Sequence, residues 1–351
     1  MKRHGNLYPK IYGIENIRIA HKNARKGKSH YREVRKIEEN PEKYFRKIQL
    51  MLKDKTFENS CYEIMIKKTD NGKIREIYKL PYFPDRIIHH CIVQILEPIW
   101  EKTLIKDTYA CLKNRGIHKA LARIQEALRD KHATKYCLKL DVRKFYPSID
   151  HTVLKTIIRK KIKDMDLLWL LDNIIDSAPG VPIGNYLSQY FGNLYLSGLD
   201  HFVKEKKRRK YYYRYSDDIV VFGNNKKELH KLRKDISDYL DELKLKLKDN
   251  WQVFPVSARG VDFLGYRFFH GYTLLRKSIA LKFKRKIRKI KNNWRNMKPE
   301  QIINSVMSYN GWLIHSNTKN LRNAYIDDDI FWIMKQTAYE SNIKNPLQGV
   351  V

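Results

Sequence analysis

Tyr215-Ser216-Asp217-Asp218 joins two apolar runs, Tyr211-Tyr212-Tyr213 before it and Ile219-Val220-Val221-Phe222 after it, and Gly223-Asn224-Asn225 closes the second. This is the pattern of a β-hairpin whose turn carries two adjacent carboxylates. Aspartate in a turn is ordinary, because its side chain bonds nearby backbone amides, so a solvated Asp-Asp turn is the plain reading. The other reading is chemical. Two uncompensated carboxylates repel each other, and a pair of divalent cations relieves that repulsion. A third carboxylate would complete such a site, and Asp141 is available. Tyr136-Cys137-Leu138-Lys139-Leu140-Asp141 reads as a buried strand ending in an acid, where Asp141 is either a strand-end residue, a cap or a metal ligand.

The elements that would hold these acids are legible from spacing. After Asp141 comes an aromatic loop, Phe145-Tyr146-Pro147, and then a helix starting near Asp150. Val153, Leu154, Ile157 and Ile158 give that helix its apolar stripe, while Lys155, Arg159, Lys160 and Lys161 face outward. Leu187, Phe191 and Leu194 stand at i, i+4 and i+7, which predicts a second helix with one buried face. His89-His90 lies in a packed apolar helix and reads as a core or surface pair. From about residue 276 strand character ends. There Phe283, Ile287, Ile290 and Trp294 repeat at helical spacing inside a run of Lys282, Lys284, Arg285, Lys286, Arg288, Lys289 and Lys291. Charge of one sign repels itself without an anionic partner. Tyr309-Asn310-Gly311-Trp312 and Trp332 are expected to pack the core of this segment.

Composition points the same way. Lys and Arg number 71 against 38 Asp and Glu, a net charge of +33 over 351 residues. So basic a surface needs a polyanion, and nucleic acid is the default partner. No apolar run approaches the roughly 20 residues that span a bilayer and no signal peptide opens the chain, so no membrane partner and a cytoplasmic location are expected. The four cysteines lack Cys-x-x-Cys spacing, which speaks against zinc or a disulfide framework. Three sit in apolar contexts and read as buried free thiols.

Taken in order along the chain, these stretches resemble the reverse transcriptases. Ile66-Lys67-Lys68-Thr69-Asp70-Asn71-Gly72-Lys73-Ile74-Arg75 is similar to the fingers hairpin of that family, and Asp141 with Phe145-Tyr146 to its first palm motif. Gly180-Val181-Pro182-Ile183-Gly184-Asn185-Tyr186-Leu187-Ser188-Gln189, leading into Asn193-Leu194-Tyr195-Leu196, resembles the template-and-nucleotide motif. Tyr215-Ser216-Asp217-Asp218 looks like the catalytic hairpin, and Val261-Asp262-Phe263-Leu264-Gly265-Tyr266 like the primer grip. The resemblance implies an α+β right-hand polymerase fold. A basic N-terminal extension would occupy 1–60, fingers 61–135, a palm of antiparallel sheet and helices 136–275, and a helical thumb 276–351, with a fingers-side insertion near 160–185.

The same resemblance implies residue roles. Asp141, Asp217 and Asp218 would be catalytic and, with the Val142 carbonyl, would hold two Mg2+ ions, for which Mn2+ can substitute. Lys68 and Arg75, with Lys73 as a second candidate, would clamp the triphosphate of a dNTP, since the Arg fork suits phosphate. Tyr146 would be the gate against a ribose 2′-hydroxyl, or simply packing, and Ile183 and Gly184 would border the nucleotide. Ser188, Gln189, Tyr215, Leu264 and Gly265 would touch template or primer. A general acid stays open among Lys244, Lys246 and Lys248.

Two departures narrow the type. Pro182-Ile183-Gly184 and Ser188-Gln189 stand where mobile-intron enzymes carry Pro-Gln-Gly and Ser-Pro, and they resemble the enzymes of diversity-generating retroelements. Nothing after 330 reads as an appended endonuclease or zinc module. That resemblance implies a bacterial or phage-encoded enzyme that copies a structured template RNA into cDNA with errors at adenine, and a small basic pentameric accessory protein as partner. Retron and abortive-infection enzymes are the alternatives, as is a non-catalytic RNA-binding protein on a polymerase fold.

Overall fold

The computed structural model describes residues 3–68, 72 and 74–340. The chain opens with four helices, α1 (Tyr8–Ile11), α2 (Ile14–Ala24), α3 (Arg32–Glu39) and α4 (Pro41–Lys53). Strands β1 (Glu63–Lys68) and β2 (Ile74–Lys79) form a separate antiparallel hairpin, in which Lys67 pairs with Arg75 and Lys68 with Ile74. Asn71 and Lys73, expected at its tip, lie outside the described residues. Helices α5 (Ile87–Glu101) and α6 (Ile117–Ala127) follow, then β3 (Tyr136–Asp141), α7 (His151–Arg159), α8 (Met165–Asp176), α9 (Ser188–Tyr195) and α10 (Ser197–His201). Next come β4 (Tyr212–Tyr215), β5 (Asp218–Gly223), α11 (Lys226–Glu242), β6 (Gln252–Pro255) and α12 (Val256–Arg259). The chain continues through β7 (Val261–Phe263), β8 (Tyr266–Phe268), β9 (Thr273–Leu275), α13 (Lys277–Asn293), α14 (Pro299–Leu313), α15 (Lys319–Asn323) and α16 (Asp328–Glu340).

The chain forms two compact units and crosses between them several times. One holds 1–116, 139–219 and 231–251; the other holds 117–138, 220–230 and 252–351. A four-stranded sheet has the order β4-β5-β3-β6 and a three-stranded antiparallel sheet the order β7-β8-β9. Ile219, Val220, Val221 and Phe222 are all buried. A strand with neighbours on both sides and both faces covered reads as a continuous apolar run, which is why β5 shows no alternation. In the first unit α2 and α5 pack their Ile17, Ala20, Ile88 and Ile92 faces into the core. Asp150 caps α7, its side chain accepting from the Val153 amide at 3.0 Å.

In the second unit Phe263, Tyr266, Phe268, Phe283, Ile287 and Ile290 are buried, as the helical spacing of α13 requires. Trp312 packs against Tyr266 with ring centroids 5.3 Å apart. Trp332, expected in this core, is 50 % exposed and meets Trp294 edge to face. Its position on the outer side of α16 was invisible to composition alone. The cysteines also depart from expectation: Cys91 and Cys137 are buried, but Cys61 and Cys111 are exposed. Flanking apolar residues do not bury a residue that sits outside a regular element. His89 and His90 do pack inside α5, and burial pushes them down to about 3 and about 4, so both are neutral imidazoles. Among the described residues no helix is long and apolar enough to cross a membrane.

Candidate active site

The two acidic stretches meet through their backbones. β3 ends at Asp141, and the next amide, Val142, donates to the Asp217 carbonyl at 3.3 Å. On its other side the 141–143 segment pairs with 246–248: the Lys248 amide donates to the Asp141 carbonyl at 2.8 Å and the Arg143 amide to the Lys246 carbonyl at 2.8 Å. Tight pairing to both neighbours fixes where Asp141 and Asp217 stand.

Charge at this point is unbalanced. Burial raises Asp217, and the nearby Asp141 carboxylate raises it further. Asp218 is pushed up to about 6, first by burial and then by Asp141, with Lys139 and Lys248 pulling the other way. A carboxylate that is hard to ionise beside another carboxylate is relieved by a nearby cation. The donors are all hard oxygens, which fits Mg2+. Among the described residues no three acidic, histidine or cysteine side chains converge as a ready metal cage, and Asp141 is instead ion-paired with the Lys248 ammonium. Asp141, Asp217, Asp218 and the Val142 carbonyl are therefore neighbours rather than a closed shell. Mg2+ keeps several water and phosphate ligands, so a partial protein shell suits it.

The three candidate lysines are now separated. Lys244 pairs with Asp150 at 2.7 Å and Lys246 with Asp241 at 2.8 Å, while Lys248 alone reaches Asp141. An alternating Leu-Lys run sends every lysine to one side, and only backbone pairing with 141–143 picks out the third.

Tyr146 follows in a short turn, its hydroxyl 3.2 Å from the Ser216 hydroxyl, so the aromatic loop touches the Asp-Asp turn directly. The loop 181–187 meets β2: the Tyr78 amide donates to the Ile183 carbonyl at 2.8 Å. Gly184 has φ +125°, and a Cβ there would collide with the Tyr78 carbonyl, so this close approach requires glycine. Ile183 is half-buried and Gln189 exposed. Ser188, expected at the template, is buried with its hydroxyl donating to the Pro182 carbonyl at 2.6 Å, so it braces the loop from inside. Lys68 and Arg75 are exposed on the hairpin and have no partner among the described residues. Tyr215 is half-buried at the end of β4.

Leu264 and Gly265 form the β7–β8 turn of the second unit, both left-handed at φ 53° and 87°. A side chain at 265 would strike Trp312 at 2.6 Å, so only glycine fits.

Two features escaped the sequence. A cavity of about 640 Å³ is lined by Lys28, Arg32, Lys79 and Arg86 with Tyr31 and Tyr82, and burial beside Arg86 lowers Lys28. Behind the turn, Arg214 and Asp200 form a fully buried ion pair at 2.6 Å. The cavity joins residues far apart in the sequence, and Asp200 and Arg214 share no spacing signal, so neither feature could be assembled from the sequence.

The family model for reverse transcriptase (RNA-dependent DNA polymerase) matches residues 66–268, more than half of the chain. Protein YkfC of Escherichia coli K12 is 28 % identical over 149 residues, covering 39 % of this chain and 39 % of its own length. The group II intron-encoded protein LtrA of Lactococcus lactis subsp. cremoris is 29 % identical over 174 residues, covering 46 % of this chain and 28 % of its own. The chain thus spans well under half the length of these relatives. Apo telomerase from Candida tropicalis superposes with a TM-score of 0.51 at 12 % identity, over 82 % of this chain and 60 % of that one. Telomerase from Candida albicans in complex with a telomeric RNA fragment gives 0.50 at 12 %, over 84 % and 66 %. At such low identity these matches speak for the fold alone, a mixed α+β polymerase fold as expected.

Proposed function

The chain belongs to the reverse transcriptase (RNA-dependent DNA polymerase) family, and from that premise we propose that it extends a DNA primer on an RNA template from dNTPs. One observation carries the reading: the Val142 amide on the Asp217 carbonyl, which brings the strand-end acid and the acidic turn to one place. Asp141, Asp217 and the Val142 carbonyl, supported by Asp218, would hold Mg2+. Two such ions, or Mn2+ in their stead, would stabilise charge on the attacking and leaving oxygens.

The chain's own groups account for the rest. Lys68 and Arg75 are exposed cations without partners among the described residues and would take the triphosphate. Tyr146 stands against Ser216 of the turn, where its ring would meet the sugar edge and exclude a 2′-hydroxyl. Lys248, ion-paired with Asp141, would be the candidate to give a proton to departing pyrophosphate. Basic side chains around the 640 Å³ cavity extend the phosphate-binding surface to the N-terminal segment. In this reading residues 1–60 are the basic extension, 61–135 the fingers, 136–275 the palm and 276–351 the thumb. The primer grip is the Leu264–Gly265 turn, and Tyr215 and Gln189 face the nucleic acid.

The finer reading is diversity generation, in which a template RNA is copied with errors at adenine. It is supported by Ile183, an aliphatic side chain that fills space but offers no hydrogen bond near the nascent pair, and by Ser188-Gln189. A small basic pentameric protein would be the accessory partner.

The test is primer extension on a primed RNA with dNTPs and Mg2+, comparing the natural protein with Asp217→Asn. Synthesis should fall about a hundredfold or more, the scale of losing a group that stabilises transition-state charge. RNA affinity should stay within about twofold, because losing a negative charge does not weaken polyanion binding. Undiminished synthesis by the variant would overturn the assignment.

A further inference from the structure

We propose that Arg214 is a positioning residue of the metal centre: its buried guanidinium, anchored on Asp200, grips the Ser216 carbonyl and so sets the turn that presents Asp217 and Asp218. This rests on the metal-centre reading above.

Arg214 and Asp200 are both 0 % exposed. Arg214 Nε donates to Asp200 Oδ1 at 2.7 Å and Nη2 to Oδ2 at 2.6 Å, a two-pronged contact. The Tyr212 hydroxyl, at 2.6 Å, and the Thr108 hydroxyl, at 2.8 Å, complete the carboxylate. The remaining prong points to the turn. Nη1 donates to the Ser216 carbonyl at 3.0 Å and to Asn193 Oδ1 at 3.2 Å, and Nη2 also reaches the Asn193 carbonyl at 3.3 Å.

A buried ion pair is a poor source of stability, since apolar side chains of similar volume often serve as well. What an apolar pair cannot do is donate to a carbonyl. Ser216 has φ 56°, the left-handed region that disfavours any residue but glycine, so the turn needs an outside hold. It has two. The Ser216 carbonyl is taken by Arg214, and the next carbonyl, of Asp217, by the Val142 amide at 3.3 Å. Consecutive peptide units are thus tied, one to a buried post and one to the strand end that carries Asp141. With the first tie cut, the Ser216 carbonyl loses its buried anchor, and the carboxylates lose their common register.

Arg214→Lys separates this role from bulk stability. A lysine keeps a positive charge for Asp200 but offers its donors from one point, so it cannot span Asp200 and Ser216 together. Mn2+ binding to the protein without nucleic acid or nucleotide, read by the EPR signal of free Mn2+, reports the site directly. We expect the natural protein to bind Mn2+ and Arg214→Lys to bind about tenfold more weakly, the scale of one hydrogen bond from a charged donor. The kcat of primer extension should fall at least as much, while KM for dNTP and RNA affinity change less than about threefold. Thr108→Val is the control. It removes one hydrogen bond from Asp200 without touching the guanidinium, so it should lower Tm and leave Mn2+ affinity unchanged.

Should Arg214→Lys not fold, Arg214→Met combined with Asp200→Leu removes both charges and must show the same loss of Mn2+ affinity. Natural-like Mn2+ affinity in either Arg214 variant overturns the proposal, as does an equal loss in Thr108→Val. Failure of the natural protein itself to bind Mn2+ would instead overturn the metal-centre reading beneath it.

Discussion

The acidic turn and the β1–β2 hairpin are both candidate parts of one active site, yet they are built in opposite ways. Around the turn, the groups are tied to neighbours: the Ser216 carbonyl to Arg214, the Asp217 carbonyl to Val142, and Asp141 to Lys248. On the hairpin, Ile64, Ile66 and Ile74 are exposed, and Lys68 and Arg75 touch no partner among the described residues. The contrast matches the two tasks proposed for them. Charge that develops in a transition state is stabilised by groups fixed beforehand, whose reorganisation costs nothing at the moment of reaction. A polyanionic substrate, by contrast, supplies the partner that exposed cations lack, so these need no internal brace.

That difference can be broken experimentally. The largest effect is expected for Lys68→Ala with Arg75→Ala: KM for dNTP should rise about a hundredfold, on the scale of two charge-assisted hydrogen bonds. Tm should move by no more than about 1 °C, since exposed side chains without contacts contribute little to stability. A large loss of Tm with an unchanged KM would mean the hairpin is structural and the contrast false. Steady-state kinetics and a thermal melt together decide it.

The next effect concerns the 181–187 loop, whose Ile183 carbonyl accepts from Tyr78 of the hairpin. Ile183→Gln adds a hydrogen-bonding group at the proposed nucleotide site and should lower misincorporation about tenfold, chiefly opposite template adenine. Copying one RNA with both proteins and sequencing the cDNA reads the spectra. Equal spectra would reject Ile183 as a fidelity determinant.

The smallest effect tests whether exposed, unpartnered charge marks phosphate contacts elsewhere. On α13, Lys284 and Arg288 rest on the Tyr325 ring, at 5.5 and 5.8 Å, whereas Arg285 is exposed without a partner among the described residues. Replacing all three with Gln should make the slope of log affinity against log salt shallower by roughly 0.7 to 0.9 per lost phosphate contact. Arg285→Gln alone should account for about one such step. An unchanged slope would leave α13 as a solvated face.

The sequence by itself determined the elements and the chemistry. Apolar runs on either side of Ser216 and Asp217 demanded a hairpin, Leu187, Phe191 and Leu194 a helix, and the excess of lysine and arginine a polyanion; each follows from local spacing or from a sum over the chain. Three acids and their order were visible in the same way. Tertiary structure decided what depends on a particular neighbour. It chose Lys248 from three equivalent lysines, turned Ser188 inward, left Trp332 in solvent, and placed Arg214 against Asp200 behind the turn. Spacing reports which face of an element a residue occupies, but not what the opposite face will be. Arg214 precedes Ser216 by two residues and follows Asp200 by fourteen, and no periodicity links them; only the packing of β4 against the 193–200 segment turns a charge in a basic chain into the post that holds the acidic turn.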